Sequence, residues 1–330
     1  HARAPRDAPD GARPPRRESC EARGVPFRMT ALDHGPLILG GNAFGWTSDR
    51  DESFAVLDAF LAAGGRSIDT ADVYSAWVDG HVGGESETIL GEWMASRGVR
   101  DRVVIATKVF SHPERPGLSP ANVRAAIDDS LRRLQTDRVD LYYAHRDDAD
   151  VPQEDVAGVF DELVRAGKVR EVGVSNFEPA RVRSLVAAAE AGGLARPTTS
   201  QDRYNLVSRE AEDALLPTLE ELGLVEVPFP SLASGFLTGK YRPGVDVDSQ
   251  RAGMAARYLE DPRNVTLLDV LDDVAAAHGT TVAAVSLAWL RQQPLVAAPL
   301  ASARTPEQLA DLLASVDVDL SSDELQRLAA

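Results

Sequence analysis

The sequence predicts an α/β protein with the fold of a (β/α)8 TIM barrel, preceded by an unstructured N-terminal segment. From residue 36 onward, eight short apolar runs alternate with stretches of helical periodicity, within a length typical of one such barrel. The run Val103-Val104-Ile105 is continuously apolar, as expected for a parallel strand buried on both faces. An open doubly wound sheet is the alternative architecture for the same alternation.

The predicted strands are the apolar runs at residues 36–40, 67–69, 103–107, 139–144, 171–175, 198–201, 224–228 and 296–298. Helical periodicity predicts helices over residues 51–63, 121–134, 154–166 and 179–190. Ser119-Pro120 and Thr305-Pro306 are typical helix starts, because a hydroxyl caps free backbone N–H groups and proline fits the first helical position. The longest irregular stretches, 75–84 and 231–251, follow the second and seventh strands, where barrels carry active-site loops.

Residues 1–34 differ from the rest, because they are rich in Arg and Pro and show no apolar period. This composition predicts a disordered tail before a barrel domain over residues 35–330. Two further interpretations stay open. Translation begins at Met29, or the segment is a transit peptide, a class in which the acidic residues found here are unusual.

Composition and charge exclude several classes of partner. The chain of 330 residues is 44% hydrophobic and 26% charged, as in ordinary globular proteins, and its net charge is −16. Such a field repels nucleic acid and anionic membranes, so neither is expected as a partner. No apolar run approaches the roughly 18–20 residues of a membrane helix, and no signal-peptide core is visible. With Cys20 as the sole cysteine, no internal disulfide forms, and we expect a cytoplasmic protein.

Two kinds of site are not supported by motifs. Residues 40–45 read GGNAFG, in which Asn42 takes the place of the second glycine of a Rossmann fingerprint. The histidines are scattered and the cysteine lies in the tail, so no metal-ligand spacing is present.

Four polar side chains lie at or just after predicted strands two, three and four. Asp69 ends the second, Tyr74 follows one turn later, Lys108 follows the third and His145 follows the fourth. A single Lys or His at a strand end is usually only solvated. Four of them at one end of a barrel indicate an active site.

These residue types suit the reduction of a carbonyl, which needs a hydride donor and an acid. A free tyrosine has a pKa near 10, and we expect the ammonium of Lys108 to lower that of Tyr74. Asp69 can hold Lys108 in place and keep it charged. His145 can donate a hydrogen bond to the substrate oxygen.

In these residues the sequence resembles the aldo-keto reductase family. The matching segments are 67–74 (SIDTADVY), 105–108 (IATK) and 141–146 (LYYAHR), and the likeness extends from about residue 36 to residue 328. The resemblance implies an NADPH-dependent oxidoreductase with a catalytic tetrad of Asp69, Tyr74, Lys108 and His145. It also implies a small-molecule carbonyl substrate and leaves the oligomeric state open.

The resemblance also implies a site for NADPH or NADP⁺. Residues 174–177 and Gln201 would hold the nicotinamide carboxamide, residues 231–240 would cover the pyrophosphate, and residues 299–308 would grip the 2′-phosphate at a helix N-terminus. The implied cofactor contacts are Gly41, Asn42, Ser175, Asn176, Gln201, Phe229, Ser231, Leu232, Ser234, Gly235, Leu237, Lys240, Ser302, Arg304 and Gln308.

Three departures from the family pattern accompany these matches. Phe229 stands where the family usually stacks a tyrosine on the nicotinamide, and Leu312 stands where it has an asparagine near the adenine. Residues 1–34 offer no counterpart of the hairpin that closes the bottom of the barrel. Segments 40–46 and 83–87 resemble a group of members, some of which act on sugar-derived ketones. Trp46 and Trp77 either line a substrate pocket or are half-buried against a loop.

Two other functions remain as alternatives. A barrel lyase would use Lys108 as a Schiff-base nucleophile, which leaves Tyr74 and the amide residues without a role. A non-catalytic redox sensor would bind the cofactor without turnover. The resemblance extends to potassium-channel beta subunits, which share this fold and bind the cofactor.

Overall fold

Eight parallel strands form the central sheet of the computed structural model, which describes residues 30–250 and 252–329. The strands are β1 (Ile38–Gly40), β2 (Ser67–Asp69), β3 (Val104–Val109), β4 (Val139–Ala144), β5 (Val169–Ser175), β6 (Pro197–Gln201), β7 (Val225–Glu226) and β8 (Leu300–Ala301). Their order is β8-β1-β2-β3-β4-β5-β6-β7, which joins the last strand to the first. The predicted (β/α)8 barrel is therefore confirmed.

The eighth strand lies later than predicted. Val296 makes only an isolated bridge to Glu226 of β7, and the regular pairing begins at Leu300, opposite Ile38 of β1. Pro299 marks this change of partner, because its carbonyl accepts a hydrogen bond from Ile38 N at 3.0 Å while its ring has no N–H to offer β7. Residues 296–298 thus contact β7, and β8 closes the barrel onto β1.

Helices follow most strands, and neighbouring helices pack on one another around the sheet. They are α1 (Arg50–Ala62), α2 (Glu85–Arg97), α3 (Pro120–Leu134), α4 (Gln153–Arg165), α5 (Pro179–Gly192), α6 (Leu215–Leu222), α7 (Ala252–Ala256), α8 (Pro262–His278), α9 (Val282–Arg291), α10 (Pro306–Leu313) and α11 (Ser322–Ala329). Both predicted helix starts are confirmed, since Ser119 caps α3 and Thr305 caps α10 through their hydroxyls. The main apolar core lies between these helices and the strands.

The predicted tail falls outside the described residues over 1–29. Residues 30–34 are described, and contrary to expectation they contact the amino-terminal end of the barrel. Asp33 forms an ion pair with Arg66, just before β2, at 3.0 Å. Leu32 packs against three side chains of the barrel interior: Ala106, Leu141 and Tyr143. Leu32 thus makes an apolar contact at the end of the barrel for which residues 1–34 offered no counterpart of the closing hairpin.

Within residues 30–250 and 252–329, no helix has the length and apolar character needed to cross a membrane. The same residues contain no group of three or more His, Cys, Asp or Glu side chains arranged to hold a metal ion.

Candidate active site

The four residues of the predicted tetrad meet at the carboxyl ends of β2, β3 and β4. Lys108 lies within β3 rather than after it, because this strand extends to Val109. Its ammonium donates hydrogen bonds to Asp69 Oδ1, to the Thr70 carbonyl at 2.7 Å and to Tyr74 Oη at 3.0 Å. Asp69 and Lys108 are fully buried. The strand register thus places an ion pair directly beneath a phenol.

His145 completes this group beside Tyr74, with ring centroids 6.3 Å apart. Burial, together with the positive charges of Lys108 and Arg146, lowers the pKa of His145 to about 3. The imidazole is therefore neutral at physiological pH and has one N–H to donate. Its Nδ1 is buried and has no hydrogen-bond partner among the described residues.

The pKa of the other two groups depends on the balance between burial and charge. Burial lowers the pKa of Lys108, but Asp69 and Tyr74 raise it more, so the ammonium is retained. Burial raises the pKa of Tyr74 more than Lys108 lowers it. The expected net lowering of the Tyr74 pKa is therefore wrong in sign: Lys108 acts in the expected direction, and desolvation of the phenolate outweighs it.

The predicted carboxamide residues lie next to the tetrad, at the ends of β5 and β6. Gln201 Nε2 donates to Asp69 Oδ2 at 2.9 Å, which ties this amide to the ion pair as well as to the predicted cofactor site. Ser175 Oγ donates to the Gln201 carbonyl at 2.6 Å. Asn176 Nδ2 donates to Ser175 Oγ at 2.9 Å and to the His145 carbonyl at 3.0 Å. These bonds link three strand ends into one rigid cluster.

A cavity of about 450 Å³ leads from Asp69 and Tyr74 to the start of α10. It is lined by most of the predicted cofactor residues: Asn42, Phe229, Ser231, Leu232, Ser234, Gly235, Lys240, Ser302, Arg304 and Gln308. Five predicted cofactor residues do not line it: Gly41, Ser175, Asn176, Gln201 and Leu237. Leu237 is buried in the apolar core, and the Gly41 carbonyl accepts a bond from Ser86 Oγ at 2.8 Å.

The cavity wall suits an anionic ligand. The turn at residues 233–238 exposes backbone close to the cavity, and Gly235 allows it because its φ of 98° is a conformation that favours glycine. Arg304 is exposed and precedes the capped N-terminus of α10, where backbone N–H groups favour anions. Lys240 adds a second cation.

Sequence reasoning missed other residues near these walls. Tyr241 and Thr281 also line the cavity, and their sequence context gave no signal. Thr238 lines it too and belongs to the predicted pyrophosphate segment 231–240, although it was not singled out there. Asp202 and Glu226 are buried behind the carboxamide residues, at 5% and 0% exposure. The sequence offered one signal for Glu226, a carboxylate inside the apolar run 224–228, which is unusual for a buried strand.

A row of three aromatic side chains extends from the tetrad residue Tyr74. The rings of Tyr74 and Trp77 lie 6.2 Å apart edge to face, and those of Trp77 and Trp46 lie 5.4 Å apart, almost perpendicular. Trp77 is 50% exposed. Neither tryptophan lines the cavity described above, and Trp46 lines a second one nearby, so a substrate role for the two remains a prediction.

Comparison with known proteins agrees with the family resemblance of the sequence. The model of the aldo/keto reductase family matches residues 36–330. An uncharacterized oxidoreductase of Bacillus subtilis is 34% identical, over 91% of this chain and 92% of that protein. A norsolorinic acid reductase of Emericella nidulans is 32% identical over 91% and 79%, and an aryl-alcohol dehydrogenase of Pestalotiopsis microspora is 30% identical over 89% and 77%.

Proposed function

We propose the following reaction for this chain, which belongs to the aldo/keto reductase family. The oxidoreductase reduces an aldehyde or ketone to the alcohol with NADPH and takes the proton from Tyr74. The observation that carries the proposal is the 3.0 Å contact between Lys108 Nζ and Tyr74 Oη above the buried Asp69, at the inner end of the cavity.

Each residue of the tetrad has a separate role in the proposed proton transfer. The raised pKa of Tyr74 keeps its hydroxyl protonated at neutral pH, so a proton is available. When that proton moves to the carbonyl oxygen, the phenolate left behind is stabilised by the Lys108 ammonium at hydrogen-bond distance. Asp69 holds the ammonium and Gln201 holds Asp69. The neutral His145 donates its N–H to the same carbonyl oxygen and orients it.

The described cavity fits NADPH, which when bound would supply the hydride. Ser175, Asn176 and Gln201 do not line the cavity, but hydrogen bonds join them to the tetrad residues at its inner end. They carry the hydroxyl and amide groups that a carboxamide needs. Phe229 provides a ring for stacking. At the other end, Arg304 before α10 provides a cation for a 2′-phosphate. This end-to-end correspondence is why we prefer NADPH over other anions of similar size.

Two substrate classes follow from different observations. The edge-to-face rings of Trp46, Trp77 and Tyr74 favour a carbonyl compound that carries an aromatic group. The names of two relatives, an aryl-alcohol dehydrogenase and a norsolorinic acid reductase, support a search among such compounds. Sugar-derived ketones are the second class, from the resemblance of segments 40–46 and 83–87. A steady-state panel of aryl aldehydes, aryl ketones and keto-sugars with NADPH separates the two.

The proton-donor role is tested by single-turnover oxidation of NADPH with a carbonyl that the parent reduces. Tyr74→Phe and Lys108→Met should each slow the chemical step by roughly a hundredfold or more. The double variant should be little slower than either, because groups that act as one unit are not additive. NADPH affinity should stay near the parental value in all three, since these side chains meet the carbonyl and not the phosphates.

Tyr142→Phe is the matched control. Tyr142 is fully buried beside Phe160, its hydroxyl has no partner among the described residues, and it is outside the cluster described above. Its variant should react at the parental rate. A Schiff-base lyase predicts that only Lys108→Met abolishes activity, and a sensor predicts no turnover in the parent. A near-parental rate for Tyr74→Phe would rule out the tyrosine-acid mechanism.

A further inference from the structure

Asp202 occupies an unusual position directly after Gln201, where β6 ends. It is 5% exposed. Its carboxylate accepts hydrogen bonds from the backbone N–H of Asn176 at 2.8 Å and from Ser200 Oγ. No Lys, Arg or His among the described residues forms an ion pair with it. A buried carboxylate without a cation costs stability, so its presence needs a reason beyond packing.

Asn176 has a backbone conformation that its surroundings must hold. Its φ of 56° is left-handed, which is strained for a residue with a side chain. Both hydrogens of Nδ2 are used, on Ser175 Oγ and on the His145 carbonyl. The remaining group is Oδ1, an acceptor on an exposed residue, suited to the N–H of a carboxamide.

The backbone of Asp202 also ties the neighbouring strand end. Its N–H donates to Glu226 Oε1 in β7 at 2.9 Å, and its carbonyl accepts from Phe229 N at 2.9 Å. One residue therefore connects β5, β6 and β7. It contacts the backbone of the residue that offers the amide acceptor and of the residue that offers the stacking ring.

We propose that Asp202 is a positioning residue for the nicotinamide end of the cofactor: its carboxylate fixes the left-handed backbone of Asn176 and so presents Oδ1 to the carboxamide. This inference rests on the proposed function, because it presumes that NADPH binds in the cavity. Asp202 touches neither the carbonyl nor the phosphates, and it acts through Asn176.

The test compares two ligands on the same variants. NADPH contains the nicotinamide, whereas 2′-phospho-ADP-ribose carries the same phosphates and adenosine without it. Asp202→Ala removes the acceptor for Asn176 N–H and should weaken NADPH about tenfold, equivalent to about 1.4 kcal/mol. Binding of 2′-phospho-ADP-ribose should stay at the parental value. Asp202→Asn keeps an acceptor oxygen at the same place and should restore most of the NADPH affinity.

Asp161 in α4 provides a control near the other end of β6, and its carboxylate, unlike that of Asp202, also pairs with Arg165 at 2.6 Å. Asp161 is also buried, at 7% exposure, and its carboxylate accepts the backbone N–H of Ala195 at 2.9 Å. That contact lies just before β6 begins, at the opposite end from Asp202. Asp161→Ala should lower the melting temperature and leave the ratio of the two ligand affinities unchanged. If Asp202→Ala does not fold, Asp202→Leu replaces it, because an apolar side chain of similar size is tolerated where a buried charge stood.

The outcomes separate the inference from the proposed function. If the parent binds no NADPH, the proposed function fails and the inference falls with it. If the parent binds NADPH but the Asp202 variants lose equal affinity for both ligands, or lose none, the positioning role is wrong while the function stands. A loss confined to NADPH, with rescue by asparagine, supports the role.

Discussion

The ion pair beneath Tyr74 gives the most demanding prediction, the substitution Asp69→Asn. It keeps the shape of the side chain and removes the charge that faces Lys108. Lys108 is fully buried, so in the variant an ammonium is left in the protein interior without its counter-ion. Breaking a buried pair in this way costs about 3–5 kcal/mol of unfolding free energy. The chemical step should slow as well, because the phenolate loses a positioned cation.

The pH dependence of this loss follows from the same contacts. Burial lowers the pKa of Lys108, and in the parent Asp69 offsets it. In the variant the pKa of Lys108 in the folded state falls below the ordinary value of 10.5. Between these two pKa values the unfolded state binds more protons than the folded state. Unfolding free energy then rises with pH, by at most about 1.4 kcal/mol per unit, up to about pH 10.5. The deficit against the parent should therefore shrink between pH 7 and pH 10.

Urea unfolding followed by tryptophan fluorescence measures both quantities. Asp128→Asn is the control, because Asp128 pairs with Lys168 in a contact whose side chains are 60% and 36% exposed. An exposed pair contributes under about 1 kcal/mol, and its loss should not vary over the same pH range. If Asp69→Asn costs no more than Asp128→Asn, or its deficit stays constant with pH, Lys108 is not a buried cation held by Asp69.

Other parts of the molecule lead to further predictions. Arg304→Ala should weaken NADPH about tenfold, from the loss of a charge-assisted bond on an exposed side chain, and leave NADH unchanged; equal losses in titrations of both would remove Arg304 from the 2′-phosphate site. Phe229→Ala should weaken NADPH by about 0.5–1.5 kcal/mol while Phe229→Tyr stays parental, and parental binding by alanine would exclude stacking on this ring. Burial raises the pKa of Asp72 from 3.8 to about 8, so the unfolding free energy of the parent falls as pH rises between these values. Asp72→Asn lacks this group, so its unfolding free energy in urea should rise relative to the parent by about 1.4 kcal/mol per pH unit, and a constant difference would contradict the shift. Removing residues 1–28 should leave the melting temperature and activity unchanged, whereas removing 1–35 should lower the melting temperature; a large loss from the shorter deletion, or none from the longer one, would reverse these assignments.

The features predictable from sequence were those with a local cause. Apolar runs gave the barrel, and the Ser119 and Thr305 caps gave two helix starts, because each depends on adjacent residues. The tetrad was predictable for the same reason: Asp69, Lys108 and His145 each lie at the carboxyl end of a short apolar run, and parallel strands bring such ends together.

The features that escaped prediction depend on contacts between distant segments. Val296 is as apolar as a strand residue, and only the geometry of closure decides that pairing with β1 starts at Leu300. Leu32 belongs to no periodic pattern and is placed by the apolar end of the barrel interior. The net pKa of Tyr74 depends on how much solvent the fold removes, which the spacing of charges does not reveal. The role of Asp202 depends on its hydrogen bond to the backbone of Asn176, which follows a different strand.

The pairing of β8 with β1 also bears on how the chain reaches its native state. Ile38 and Leu300 stand near opposite ends of the sequence, so their contact closes one of the longest loops in the molecule and is entropically expensive to form early. Until it forms, β1 exposes an unpaired edge, a surface that promotes association between chains. On the ribosome that edge emerges first and its partner nearly last. Cells that produce the protein quickly should therefore need chaperones to protect β1, and C-terminal truncations before Leu300 should aggregate rather than yield a smaller folded enzyme.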